Sequence, residues 1–205
     1  MSQFSELLSG QTVLPIIQTS SVAEGVKIAE CMYEGGLRLV EVVLRTQESL
    51  AALQAIKSEI PDLCVGAGTV TNAELLTKAL QAGSDFIVTP AGSATLLTNL
   101  SETNVPCLPG VSNTADILLA REFGFTEMKL FPASLSGGAP FLSAVSSVFS
   151  DVTFCPTGGV TATNKADYLS LNNVFAVGGT WMAKSEWVTA KNWQMIIDSC
   201  RNANK

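Results

Sequence analysis

The chain has 205 residues, enough for one domain with a sizeable core. Apolar residues make up 47% and charged residues only 15%, against a usual charged share of about 25%. Such a chain is not disordered, and so lean a surface is expected to be partly covered by another subunit. The net charge of −6, with no run of Lys or Arg, speaks against nucleic acid or an anionic membrane as partner.

There is no histidine. That single absence removes the Ser-His-Asp triad, the Cys-His pair, the HExxH zinc site and the imidazole acid/base. Acid–base work falls to Glu, Asp, Lys, Tyr or Cys, and no metal site is expected. The five cysteines stand singly with no CxxC, a pattern that fits a reducing compartment. The first dozen residues do not read as a signal peptide, and no stretch approaches the 18 apolar residues of a membrane span. The expectation is a cytoplasmic protein with no membrane partner.

In chain order, residues 2–8 read as a short helix. Eight β-branched runs follow: 13–18, 37–45, 63–69, 85–90, 105–110, 127–133, 152–159 and 174–180. Between them, helical spacing covers 22–34, 47–59, 72–82, 94–101, 114–123 and 187–201. Ser20 or Ser21, Thr71 or Asn72, and Thr163 or Asn164 are candidate helix caps. Strict strand–helix alternation argues for an α/β fold with a parallel sheet and helices outside. Eight units are the number that closes a (β/α)8 TIM barrel, so the expectation is a single barrel domain over 1–205 with a short N-terminal helix. An open doubly wound sheet is the alternative, and the first βα turn lacks its dinucleotide fingerprint.

In such a barrel, chemistry sits at the C-terminal ends of the strands. Lys129 is the one lysine inside a strand run. If it points inward, burial disfavours its charged form, and a neutral amine attacks a ketone to give a Schiff base. The alternative is an outward lysine that snorkels between helices. Glu41 is the lone carboxylate of its strand, on one face with Leu39, Val43 and Arg45. A buried carboxylate needs a partner, and Lys129 is a candidate; the pair could move protons or be purely structural. Arg45, about 13 Å further up the strand, suits bidentate capture of a carboxylate at the mouth. Thr69 offers a hydroxyl beside it. Thr157-Gly158-Gly159 and Gly178-Gly179-Thr180 close the last two strands, where barrels commonly hold phosphate. Glycine lets N–H groups approach an anion, and a following helix would add its dipole. Pro90, Pro109, Pro132 and Pro156 are read as strand stops, and Phe131 shares the face of Lys129. Trp181, Trp187 and Trp193 read as packing or interface residues rather than a ligand cage.

With these residues in place the chain resembles the 2-keto-3-deoxy-6-phosphogluconate and 4-hydroxy-2-oxoglutarate aldolase family. The resemblance is carried by LVEVVLRT around Glu41, VGAGTV around Thr69, VTPA around Pro90, LPGVS around Pro109, MKLFPAS around Lys129, FCPTGGV around Gly159 and AVGGTWM around Gly179. It departs from the family pattern at Gln18-Thr19, Ser134 and Thr180. The resemblance implies a (β/α)8 barrel, a homotrimer, and a class I mechanism with no metal or cofactor. It implies Lys129 as the Schiff-base residue and Glu41 as acid/base. Arg45 and Thr69 would hold the substrate carboxylate, and Thr157, Gly158, Gly159, Gly179 and Thr180 its phosphate, while Pro90 and Phe131 would line the pyruvate pocket. The partners implied are a phosphorylated keto acid, pyruvate and glyceraldehyde 3-phosphate. The alternatives are action on the galactonate epimer, another phosphosugar barrel enzyme such as an isomerase or epimerase, and a phosphate-binding module without catalysis.

Overall fold

The computed structural model describes residues 3–203. Among the described residues nine short strands are seen: β1 (Val13–Ile17), β2 (Leu39–Val43), β3 (Cys64–Gly68), β4 (Ile87–Val88), β5 (Cys107–Leu108), β6 (Gly110–Val111), β7 (Glu127–Leu130), β8 (Thr153–Phe154) and β9 (Val177–Gly179). Every pairing between them is parallel. One sheet runs β5-β4-β3-β2-β1-β9 and another β6-β7-β8. They meet twice: at Pro109, which parts β5 from β6, and at the bridges Phe154↔Val174 and Thr157↔Gly178 between β8 and β9. The nine segments are thus eight staves of one α/β barrel.

The fifth stave was expected whole and is split. Pro109 brings no N–H to the ladder, but its carbonyl still accepts from the Lys129 N–H at 2.8 Å. Helices cover the outside: α2 (Val22–Glu34), α3 (Ser49–Glu59), α4 (Ala73–Gln81), α5 (Ala94–Ser101), α6 (Thr114–Glu122), α7 (Gly138–Val145), α8 (Lys165–Leu169), α9 (Ser185–Thr189) and α10 (Trp193–Ala203). Ser21 and Asn72 cap α2 and α4 as expected. The helix expected over 187–201 is two, broken near Lys191, whose φ of 52° lies in the left-handed region. Helix α7 has no counterpart in the sequence reading: it begins at Gly138 after Gly137, which has no side chain to cap it.

Strand parity sorts the core. Val13, Ile17, Val40, Val42, Val65, Ala67, Met128 and Leu130 face the helices, while Leu14, Leu39, Phe86, Val88, Leu108, Cys155 and Ala176 fill the barrel's inside. The short helix α1 (Phe4–Leu7), expected over residues 2–8, of which Ser2 lies outside the described residues, seals the lower end. The Phe4 ring stands edge-on to Phe86 at 5.0 Å, and the Ser5 N–H donates to the Glu127 carboxylate at 3.0 Å. Among the described residues no helix is long and apolar enough to cross a membrane.

Candidate active site

Above the apolar plug the barrel interior turns polar. Glu41 is fully buried at the middle of β2, in register with Ile16 of β1 and Gly66 of β3. Lys129, 5% exposed on β7, lies opposite Gly110 of β6 and points inward. Its Nζ stands 3.5 Å from Glu41 Oε1 and 5.1 Å from the centre of the Phe131 ring. Two staves that are 88 positions apart in sequence therefore deliver one buried ion pair. Such a pair is costly unless its geometry serves something, because desolvation offsets most of the attraction. The second carboxylate oxygen, Glu41 Oε2, is buried with no hydrogen-bond partner among the described residues, an open acceptor beside an amine.

Local sequence makes room for both long side chains. A Cβ on Gly68 would collide with the Glu41 carboxylate, so the GAG run of β3 is a space requirement rather than a turn signal. Beneath it, Gly66 leaves the same kind of room for the Phe86 ring. The Thr89 hydroxyl accepts from the Gly110 N–H at 3.0 Å and helps seat the split stave next to Lys129. Cys155, also inside, is buried completely, and burial pushes its thiol up to about 12, so it stays a neutral S–H below the pair.

Lys129 forms the floor of an open cavity of about 360 Å³. Arg45, Phe131, Thr157, Gly158, Gly159, Gly179 and Thr180, all singled out in the sequence, line it. Three other expected residues do not. Glu41 lies beneath the floor, behind Lys129. Thr69 stands beside the cavity, its hydroxyl accepting from Arg45 Nε at 3.4 Å. Pro90 is packed with its backbone against Gly110. Thr69 also has a φ of 63°, a strained conformation for a β-branched residue, of order 1–3 kcal/mol, of the kind that clusters at functional sites.

The glycine loop after β8 has a firm shape. Gly158 and Gly159 both have left-handed backbones, with φ of 93° and 81°, which L side chains resist. Asn164 Nδ2 donates to the Gly159 carbonyl at 3.0 Å, and its Oδ1 accepts from the Thr161 N–H at 2.7 Å, which pins the loop. Among the described residues neither Gly158 nor Gly159 gives its N–H to another group. The ring of Trp181 packs on Gly179, in keeping with a packing role. A helix follows the first glycine pair where the Thr163 or Asn164 cap placed it, but it is short, and after the second pair there is only a single turn. Helix α8 starts only at Lys165 and has five residues, and a single 3-10 turn (Trp181–Ala183) follows β9. The dipole expected there is therefore small, and donors must come from backbone and hydroxyl groups.

Ile16, Gln18, Val43, Pro132, Ser134, Leu135 and Val160 complete the lining. Gln18 and Ser134 stand out in the sequence only as departures from the family pattern; Gln18 also continues the inward parity of Leu14 and Ile16, and Ser134 comes near the loop because Gly159 packs on its side chain.

The model of the "KDPG and KHG aldolase" family matches residues 4–199. The 2-dehydro-3-deoxy-phosphogluconate aldolase of Pseudoalteromonas atlantica is 37% identical over 97% of this chain and 92% of its own length. The crystal structure of KDPG aldolase from Legionella pneumophila, with pyruvate captured as a covalent carbinolamine intermediate, matches with a TM-score of 0.96 at 33% identity, covering 100% of this chain and 99% of that one. The corresponding Zymomonas mobilis enzyme with 3-phosphoglycerate matches with a TM-score of 0.89 at 37% identity, covering 97% and 93% of the two chains. A barrel of this shape, matched end to end in sequence and structure, places the chain in the KDPG and KHG aldolase family.

Proposed function

We propose that this protein is a Schiff-base aldolase, an aldehyde-lyase that reversibly cleaves 2-keto-3-deoxy-6-phosphogluconate to pyruvate and glyceraldehyde 3-phosphate. The same chemistry would split 4-hydroxy-2-oxoglutarate into pyruvate and glyoxylate. The observation that carries this reading is the buried Lys129 amine, 3.5 Å from the buried Glu41 carboxylate and at the floor of an open cavity.

Lys129 Nζ adds to the C2 carbonyl of the keto acid to give a carbinolamine, which loses water to form a protonated imine. The imine draws in the C3–C4 bonding electrons as the C4 hydroxyl gives its proton, through a bridging water, to the Glu41 carboxylate beneath the floor. The C4 oxygen becomes the aldehyde, which departs. The remaining enamine takes a proton at C3, and water hydrolyses the imine to release pyruvate and the free amine. Glu41 suits both proton steps, because one oxygen faces Lys129 and the other has no partner. Arg45 with Thr69 would hold the substrate carboxylate at the mouth. The N–H groups of Gly158 and Gly159, with Thr157, Gly179 and Thr180, would receive the phosphate. Holding both ends fixes the scissile bond over the amine, and the binding energy of the phosphate serves orientation. Phe131 walls the pocket beside Lys129. Pro90 acts at one remove, through Gly110.

Pyruvate followed by borohydride is the direct test. A reduced pyruvyl adduct is expected on Lys129 and on no other lysine; folded protein with no adduct overturns the reading. Neither an isomerase nor a binding module needs an amine that condenses with a ketone.

The protein is expected to work as a cytoplasmic homotrimer. Leu135, Val148 and Leu118 expose 84%, 69% and 48% of their surface, apolar area that a neighbouring copy could cover. All five cysteines are free, as a reducing compartment would keep them. Sedimentation as a monomer would refute the trimer.

A further inference from the structure

The charges around the cavity are few and unevenly placed. Among its lining residues only Arg45 and Lys129 carry a full charge. Both belong to the keto-acid end, one as carboxylate anchor and one as nucleophile. The distal wall, Gln18, Ser134, Thr157, Gly158, Gly159 and Thr180, is neutral throughout. Gln18 and Thr180 also line a neighbouring groove of about 510 Å³, so the distal wall is a low ridge between two open spaces. That groove does not supply a free cation either. Its one basic residue, Lys184, is engaged by Glu186 at 3.8 Å and lies over the Trp187 ring at 4.9 Å. Glu24, on the same wall, accepts from the Ser20 N–H at 2.8 Å and adds negative charge. Gln18 itself makes no hydrogen bond to another described residue, and its carboxamide is free to meet a ligand as donor or acceptor.

We propose that Gln18 sets the specificity of the distal subsite, and that this site accepts 4-hydroxy-2-oxo acids with an uncharged polyhydroxyl tail as well as phosphorylated ones. The inference rests on the aldolase reading above and deepens it. Neutral donors hold a phosphate by dipoles alone, and a hydroxylated tail can use the same donors. A subsite built around a charge pair would discriminate far more sharply, because losing one partner of a desolvated charge pair costs about 30- to 5,000-fold.

The test compares kcat/KM for 2-keto-3-deoxy-6-phosphogluconate and its unphosphorylated form, 2-keto-3-deoxygluconate, in the wild type, Gln18→Arg and Gln18→Lys. The wild type is expected to favour the phosphorylated compound by less than about 100-fold. Either basic variant is expected to raise that preference fivefold or more, through a lower KM for the phosphorylated substrate. If Gln18→Arg does not fold, Gln18→Lys decides. A wild-type preference of 100-fold or more, or a change below fivefold in the folded variants, overturns the proposal. Cleavage of neither compound, with pyruvate still trapped on Lys129, also overturns it while leaving the Schiff-base chemistry standing. Loss of the trapped adduct as well would instead bring down the aldolase reading.

Discussion

The two ends of the barrel are made from the same staves and obey opposite rules. At the lower end Phe4, Leu8, Leu14, Leu39, Phe86 and Leu108 close on one another, and the carboxylates there find partners, though the small Ser84 hydroxyl is buried without one among the described residues. Asp85, for example, receives both Lys57 at 2.6 Å and the Val65 N–H at 2.8 Å. At the upper end a carboxylate is buried with one oxygen unmatched, an amine is buried beside it, and a threonine is held in a left-handed conformation. The lower end contributes apolar burial that can hold the strained upper end in place. Activity and stability should therefore respond to different substitutions, and the predictions below probe that division.

The largest effect is expected at Lys129. Lys129→Met removes the nucleophile while keeping most of the volume. Turnover should fall roughly 10⁴-fold or more, and the borohydride-trapped adduct should vanish. The variant also leaves the Glu41 carboxylate buried without its cation, a change that typically costs about 3–5 kcal/mol. Urea unfolding of Lys129→Met should register that loss, and a wild-type midpoint would show that the pair is not a coupled unit. Next comes Glu41→Gln, which keeps shape and removes proton transfer. It should lower kcat about 10²–10⁴-fold, while Lys129 is still slowly trapped by pyruvate in mass spectra. A near-normal kcat would move the proton work to another group.

Phe4→Ala probes the other half. It empties space against Phe86 and should cost about 3–5 kcal/mol of stability, with kcat/KM of the folded protein within a few-fold of wild type. A loss of kcat as large as that of Glu41→Gln would show that the plug and the site are not separable.

The same division governs what the sequence could reveal. The outer faces of the strands, such as Val40 and Val42, are apolar in unbroken runs, so the parallel barrel is plain from pattern alone. Lys129 and Glu41 are legible because a charge in such a run is anomalous. Arg45, Thr157 and the glycine pairs follow from their place at strand ends. Contacts made by shape leave no such trace. Gly68 and Gly66 are clearances for Glu41 and Phe86, and nothing in the run VGAGTV says which side chains need the room. Pro90, a strand stop by residue type and a pocket wall only by resemblance, supports Gly110 with its backbone. Helix α7 was invisible because its start is set by the loop after β7, where Ala133 and Ser134 donate to the carbonyls of Thr157 and Gly158, rather than by a capping side chain.

The smallest effect concerns pH and touches both halves through buried thiols. Burial pushes Cys200, on α10, from an ordinary 9.0 up to about 12, as it does Cys155 inside the barrel. A thiol that keeps its proton in the fold and loses it in the unfolded chain favours unfolding wherever the two states differ. Stability is therefore unaffected by these thiols below about pH 9. It falls as pH rises from there toward about 12, by about 1.4 kcal/mol per pH unit for each buried thiol. Urea midpoints at pH 8, 9 and 10 should show the decline in the wild type. Cys200→Ala starts lower, because it removes a buried sulfur from the core, yet it should lose stability about 1.4 kcal/mol per pH unit more slowly. Parallel slopes in the two proteins would mean that Cys200 ionises as readily in the fold as out of it, and that the helix–helix seam it occupies admits water.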